Sequence, residues 1–512
     1  MSINHLRVCL EDILHFMQPH WEFVNCHMVS YLTERHWKRY VPVELQNEVP
    51  DVDSAQKCIE EVFWKSTLNE EGSGKFAEFK RLLDQCESLH LDKLNGVLTP
   101  MSSLSTELVL IDDVKQNLTI NEFMSAKKRH EVELTATLVD RLIHRVQAQN
   151  CNADVFIVDA GDGKGYLSSR LALQYGHQVL GVDFQASNTE NAMERNRKLQ
   201  RAWNGLVNRA ELHQQGLTPK RRKKKLEANI KAPLLSPRKS NERQEALYKT
   251  ADAFITPDMN LAHLLQKQFT KASEKSLICL TGLHTCGNLG PTCLKLFHEQ
   301  PQCRLLCNIG CCYHLLQEAF AQPEYLENET IPAFQTSIGF PMSQFLNEKR
   351  TTLGRNARML ATQSFERVCN ERSTINISLF YRALLEVLIC ENASELKQQV
   401  QVGKIRKFQN FNEYIELCSK KISSIDPKLH WTCDTVDRVQ KKFSKDEHYM
   451  HLFYLLRMAF AQVLEGLIML DRLLFLRELG YGKSYLVSIF DAVISPRHFG
   501  IIAMKSADSG PT

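Results

Sequence analysis

Three glycines at alternate positions, Gly161, Gly163 and Gly165, separate a short apolar run from a helix-forming segment. Val155 to Val158 before them is apolar and β-branched, the composition of a parallel strand buried on both faces, and Asp159 closes it. Tyr166 to Tyr175 after them reads as a helix. Residues without a Cβ let a ligand reach bare backbone, and a helix N-terminus points N–H groups and a favourable dipole at it. The next apolar run, 178–182, ends in Asp183, about twenty residues past the first glycine, where a βαβ unit holds a carboxylate for ribose hydroxyls. The chemistry implied is the binding of a nucleoside.

The glycine spacing selects among nucleosides. In the dinucleotide pattern G-x-G-x-x-G the third glycine would fall at Tyr166. The chain instead reads acid-x-G-x-G-x-G from Asp159, the spacing of class I S-adenosylmethionine (SAM) methyltransferases, in which no pyrophosphate has to be cradled. Asp162, between the first two glycines, is expected to place an extra carboxylate near the sulfonium.

Two further loops carry reactive side chains. The strand 276–283 feeds Leu-His284-Thr-Cys286-Gly287-Asn, and the strand 304–309 feeds Gly-Cys311-Cys312-Tyr-His314. Ligands of an open parallel sheet sit beyond the carboxyl ends of its strands, so both loops are expected to face the crevice above the glycine turn. A hydroxyl or protonated amine acceptor needs a proton sink, and His284 and His314 are the candidate bases; each can equally brace its loop by a hydrogen bond. Cys286, Gly287, Cys311 and Cys312 are placed in the substrate crevice. Seven of the sixteen cysteines lie between Cys279 and Cys312. Cys303, Cys307 and Cys311 have ligand-like spacing, but along a strand they span about 26 Å at roughly 3.3 Å per residue, too far for one ion. The loop residues can meet, yet there are no C-x-x-C pairs, so no metal is expected and Cys279, Cys303 and Cys307 read as buried small thiols.

A helix begins at Ser125, a good N-cap, with an apolar stripe through Val132, Leu138, Val139, Leu142, Ile143 and Val146. Lys127, Lys128 and Arg129 stand in its first turn, where the dipole disfavours cations by a few tenths to about 1 kcal/mol each. Either this is a solvated basic turn, or Lys127 and Glu131, one turn apart, reach the cofactor site or a substrate anion.

Around these groups, residues 1–120 read as a helical region, with helices expected over Phe23–Trp37 and 76–89, and with Trp21, Trp37 and Trp64 as core anchors. Residues 121–390 form the core, with a helix over 190–203, a third strand near 251–256, and a disordered basic insertion at 214–245 that includes Lys220 to Lys225. Apolar stripes run through 345–360, 377–390, 411–422 and 450–479, and 391–483 is taken as a helical insertion. Within 484–512 the period changes to that of two strands, 485–490 and 499–504, closing the sheet. The net charge of +4 does not by itself imply a nucleic-acid partner. No apolar run approaches the roughly twenty residues of a membrane span, and no signal segment opens the chain.

Met-Ser-Ala-Lys-Lys-Arg-His-Glu (124–131), Asp-Ala-Gly-Asp-Gly-Lys-Gly-Tyr-Leu-Ser (159–168), Thr-Gly-Leu-His-Thr-Cys-Gly-Asn-Leu (281–289), Cys-Cys-Tyr-His-Leu-Leu (311–316), Gly-Phe-Pro-Met-Ser (339–343), and the later Leu-Asp-Arg and Ile-Ser-Pro-Arg-His follow in order. Together they resemble the methyltransferase-like protein 25 family, whose close relatives are called ribosomal RNA adenine dimethylase domain-containing proteins, over nearly the whole chain. The resemblance implies a SAM-dependent methyltransferase in which Asp159, Gly161, Gly163, Gly165 and Asp183 bind the cofactor. After the fourth strand, adenine-N6 enzymes carry Asn/Asp-Pro-Pro-aromatic, and this chain has Leu-His-Thr-Cys-Gly-Asn. The His-x-Cys-Gly and Cys-Cys-x-His loops are more similar to those of a family of tRNA ribose 2′-O-methyltransferases.

The fold class expected is α/β: a Rossmann-like class I methyltransferase sheet with a helical N-terminal region and a long helical insertion before the closing β-hairpin. The function expected is methyl transfer from SAM to an acceptor, RNA foremost. A protein acceptor on the same core, or a catalytically silent scaffold, are the alternatives. The setting expected is intracellular, cytoplasmic or nuclear, without a membrane partner; the oligomeric state stays open.

Overall fold

The structure is a computed structural model and describes residues 1–64, 75–110, 124–150, 153–217, 247–320, 338–397, 400, 402–403, 405–422 and 429–505. Most of the basic insertion at 214–245 lies outside the described residues. Seven strands form one sheet in the order β3-β2-β1-β4-β5-β7-β6. They are β1 Val155–Ala160, β2 Val179–Asp183, β3 Tyr248–Asp252, β4 Leu277–Thr285, β5 Cys303–Gly310, β6 Ser484–Ser488 and β7 Phe499–Met504. The first five are parallel, and β7 runs antiparallel between β5 and β6. This is the α/β, Rossmann-like methyltransferase sheet, and the change of period after Leu479 does mark the hairpin that closes it.

All six residues of β1 are buried. Phe156 and Val158 pack into one core and Val155 and Ile157 into another, so both faces are covered by helices. The second face carries the helices Ala126–Gln149 and Tyr166–Tyr175. The first carries Leu261–Gln268 and Leu289–Glu299, and beyond them the helices that precede and interrupt the sheet.

Those two helical segments are one packed layer, although the strands β1 to β5 separate them in sequence. Arg7 bonds Glu478 at 3.0 Å, Asn25 Nδ2 donates to the Leu353 carbonyl, and Arg457 donates to the Val24 carbonyl. Phe23 meets Phe453 edge-on with centroids 5.0 Å apart. Packing of this kind joins distant segments through apolar stripes that local periodicity leaves unassigned.

Several expected bounds move. Phe23–Trp37 is broken into Trp21–Asn25, a 3-10 turn Met28–Tyr31 and His36–Tyr40, because Arg35 takes a left-handed backbone. The stripe 345–360 is two short helices interrupted at Gly354 with φ of 84°. The helix placed at 190–203 runs from Ala186 to Gln214. The third strand starts at Tyr248, and the chain leaves the sheet after Asp252. The stripe 450–479 is two helices, Asp446–Met458 and Ala461–Glu478, and together these are long and apolar enough to qualify as a membrane span. Yet 89% of its most apolar 18-residue window is buried inside the protein, so its apolar character is spent on the core.

Candidate active site

The strand order reverses between β1 and β4, which opens a crevice at the carboxyl ends of the strands. The glycine turn stands on its edge, with all three glycines at positive φ. A Cβ on Gly161 would meet Leu289 Cδ2 at 2.8 Å, and one on Gly165 would collide with Tyr248 and Ala192. A Cβ on Gly163 would have nothing nearer than the Gly161 carbonyl at 3.8 Å. Two glycines are therefore demanded by packing, and the third faces open space where a ligand can reach backbone.

Asp183 fixes that open residue. Its Oδ2 accepts from the Gly163 N–H at 3.0 Å, and its Oδ1 accepts from the Gln185 N–H at 2.9 Å and Asn188 Nδ2 at 3.1 Å. A carboxylate with three donors in place keeps acceptor capacity for one more hydroxyl. Beside it Phe184 is 65% exposed and meets Phe254, 49% exposed, edge-on at 6.3 Å. These two aromatic faces at the ends of β2 and β3 escaped the sequence reading; the signal was an aromatic directly after the strand-closing acid.

Beneath the turn lies a buried acid pair. Ser168 Oγ lies 2.9 Å from Asp159 Oδ2 and 2.7 Å from Asp162 Oδ1, and Tyr248 donates its hydroxyl to Asp162. Burial, then the charge of Asp162, pushes Asp159 well above the usual carboxylate range. Burial also raises Asp162, against the hydrogen bonds from Tyr248 and Ser168. Asp162 thus points down into the fold, not up at a sulfonium. The space it fills exists because Gly181 on β2 has no side chain, and a Cβ there would strike the Asp162 carboxylate. Asp159 is likewise 2% exposed and braces the turn from below.

The basic first turn of Ala126–Gln149 is not solvated throughout: two of its cations gather around one carboxylate. Glu131 is fully buried, and it accepts from His284 Nε2 at 2.9 Å and Ser495 Oγ at 2.8 Å. Lys128 lies 3.1 Å and Lys127 3.8 Å from the same carboxylate. Burial alone would raise Glu131, but the hydrogen bond from His284 and the charge that ring carries when protonated, then Ser495 and Lys128, hold it down at about 2. Three close partners and the more distant Lys127 occupy this carboxylate from within the protein. It compensates the two cations that the helix dipole disfavours, and it orients His284.

His284 sits at a register shift in β4 with φ of 70°, a conformation that costs a residue with a Cβ about 1–2 kcal/mol. Its Nε2 faces Glu131, and its Nδ1 has no partner among the described residues. His314 is placed differently. Arg358 donates to its backbone carbonyl at 3.1 Å, and its Nδ1 is buried without a hydrogen bond. Of the two histidines, His284 alone is paired with an orienting carboxylate.

The loops after β4 and β5 do converge. The Gly287 N–H donates to the Cys312 carbonyl at 3.3 Å, and the Gln317 N–H to Asn288 Oδ1 at 2.8 Å. Gly287 has φ of 54°, and a Cβ on it would strike Leu315. The sulfur of Cys286 lies 3.2 Å from Cys311 and 3.3 Å from Cys312. Hydrogen bonds from Cys286 and Cys311 draw the Cys312 thiol far below its ordinary value, and their counterpart pushes Cys311 up. Cys279, Cys303 and Cys307 are fully buried in the strands.

The late motifs brace this crevice from the helical layer and the hairpin. Tyr313 donates to Glu465 Oε1 at 2.8 Å, and Arg497 Nη1 donates to the same oxygen at 3.0 Å and to the Ala361 carbonyl at 2.7 Å. Asp471 accepts from the Met342 and Ser343 N–H groups. The buried Arg472 lies against Gly310 and over the Tyr313 ring. Ser495 and Arg497 read in sequence only as part of a hairpin turn; their role depends on that turn folding back across the strand ends.

The fold and site belong to a domain of methyltransferase type: residues 127–319 match the family model described as a methyltransferase domain, which spans the turn, β1 to β5 and both polar loops. The chain as a whole is similar to proteins named probable methyltransferase-like protein 25. The one from Homo sapiens is 28% identical over 600 aligned residues, covering 98% of this chain and 97% of that protein. The one from Mus musculus is 29% identical, covering 97% and 96%. The resemblance carried by the ordered motifs therefore extends from the first helix to the closing hairpin.

Proposed function

We propose that the protein transfers a methyl group from SAM to RNA, with the cofactor over Gly163 and the acceptor between the β4 and β5 loops. The observation that carries the cofactor reading is the open backbone at Gly163, whose N–H is held by Asp183 while its two neighbouring glycines are closed by packing. SAM supplies an electrophilic methyl group on a sulfonium. Asp183 then has acceptor capacity for a ribose hydroxyl, and Phe184 offers its exposed face to the base. Gly161 and Gly165 keep the turn's shape, with Asp159 beneath it.

A hydroxyl acceptor must lose a proton as the new bond forms. With Glu131 ionised, the proton of neutral His284 is held on Nε2, and Nδ1 keeps its lone pair as the proton sink. This is the logic of a base oriented by a buried carboxylate. Lys127, 46% exposed at the head of its helix, adds a cation for a phosphate backbone. The likeness of both loops to those of tRNA ribose 2′-O-methyltransferases supports the same reading.

The test is incubation of the purified protein with methyl-labelled SAM and, separately, total RNA and total protein. Label is expected in RNA, and Asp183→Ala should abolish it. Label in protein alone, or in neither fraction, would overturn the RNA reading.

A further inference from the structure

We infer that Cys286, Cys311 and Cys312 form a binding site for a single thiophilic d10 cation, zinc by preference, with three protein ligands and a fourth position open to solvent. The site shares the β4 and β5 loops with the proposed acceptor crevice, but it uses neither the glycine turn nor His284, so metal uptake and SAM binding are tested independently.

The geometry is that of ligands around a common point. The three sulfurs are 3.2, 3.3 and 3.5 Å apart. They form a nearly equilateral triangle, with no pair close enough to be singled out as a disulfide. An ion about 2.3 Å from each sulfur, the usual zinc–thiolate distance, sits about 1.3 Å above the plane of that triangle. That is the apex of a three-ligand pyramid, and opening each edge by a few tenths of an ångström makes the ligand angles tetrahedral. Among the described residues no His, Asp or Glu joins the three sulfurs at ligand spacing. Three protein ligands with a vacant fourth place are the pattern of a catalytic rather than a structural zinc site. Cys286 is exposed and Cys312 half-buried, so water can supply the fourth ligand.

The surroundings fit the charge. Three thiolates on a divalent cation leave a net charge of about −1, each thiol having given its proton to solvent. Arg472 is 1% exposed and lies against Gly310, the residue before Cys311. Its Nε and Nη1 are buried without a hydrogen-bond partner. Asp471 and Glu465 already face this guanidinium, and the filled cluster adds a further negative charge on the side of its free donors. The scaffold is rigid as well. The Gly287–Cys312 backbone bond ties the two loops, and Tyr313 is pinned by Glu465. Sequence showed that these loops can meet but no C-x-x-C signature, because one ligand is 25 residues from the others, on a different strand end. An all-sulfur set selects zinc or copper(I) over harder ions.

The experiment is uptake of zinc by the full chain, stripped with chelator and kept reduced, followed by titration with cobalt(II) as a spectroscopic stand-in. One equivalent of zinc and a sulfur-to-cobalt charge-transfer band with strong four-coordinate d–d absorption are expected. Cys286→Ser and Cys312→Ser should each weaken zinc at least tenfold, whereas Cys433→Ser, at an exposed thiol elsewhere, should not. Circular dichroism of each variant separates lost metal from lost fold, and the wild-type cobalt spectrum needs no variant. No stoichiometric uptake, uptake that survives Cys286→Ser combined with Cys312→Ser, or a disulfide joining Cys286 to either partner in the reduced protein would overturn the inference. SAM calorimetry on the same stripped protein keeps the two readings apart: zinc lost with SAM retained refutes only the metal site, and the converse refutes only the cofactor site.

Discussion

Replacing Glu131 with Gln tests how the crevice is wired. The side chain keeps its size and stays buried, but its charge goes and its amide can donate. An amide N–H facing His284 Nε2 forces the ring proton onto Nδ1, the nitrogen that must accept the acceptor's proton. The proposed base is then in the wrong tautomer, and methyl transfer to the proposed RNA acceptor should fall by about 10²–10⁴, the ordinary worth of general base catalysis. SAM affinity by calorimetry should stay within about twofold, since Glu131 touches no group of the glycine turn. Stability carries a second signature. The Glu131 carboxyl is held at about 2 against an ordinary 4.5. A folded-state value below the unfolded one stabilises the protein above about pH 4.5, and that contribution is lost as pH falls toward 2. It amounts to about 2–3 kcal/mol once screening around the half-exposed Lys127 is allowed for. Urea unfolding at pH 7 should show that loss in Glu131→Gln, and the difference between wild type and variant should shrink to about half or less by pH 3 and vanish only below about pH 2. Wild-type turnover in a folded Glu131→Gln protein would refute the dyad. A stability difference unchanged between pH 7 and 3 would refute the electrostatic account.

Gly163→Ala puts a Cβ into open space at φ of 58°, so it should cost about 1–2 kcal/mol in urea unfolding and lower SAM affinity at least tenfold. Gly165→Ala drives its Cβ against Tyr248 and Ala192 and should destabilise the fold by more, so equal losses would contradict the division between packed and open glycines. Tyr248→Phe leaves Asp162 short of a buried donor and should cost about 1–3 kcal/mol by the same measurement; a neutral outcome would show the acid pair needs no hydroxyl. Arg497→Ala leaves Glu465 buried beside Tyr313 without its cation and should cost about 3–5 kcal/mol. Arg497→Ala combined with Glu465→Gln should recover part of that loss, and a double variant no better than the single would argue against a pairwise ion pair.

The sequence by itself determined what local chemistry can encode. A buried β-branched run, glycines at alternate positions, an acid at the end of the next strand and a late switch to period two are properties of adjacent residues. They were enough to specify the sheet, its glycine turn and its closing hairpin. Element ends were less legible, because Arg35 and Gly354 interrupt stripes whose apolar spacing continues through them. Tertiary structure decided whatever joins distant segments. Glu131 meets His284 from 153 residues away and Ser495 from 364. Cys286 meets Cys311 and Cys312 only because β4 and β5 end side by side. Asp162 turns inward because Gly181, on the neighbouring strand, leaves it room. The N-terminal helices and those before β6 share one core for the same reason. An apolar stripe specifies that a face must be buried, and only the path of the chain through the sheet specifies against what.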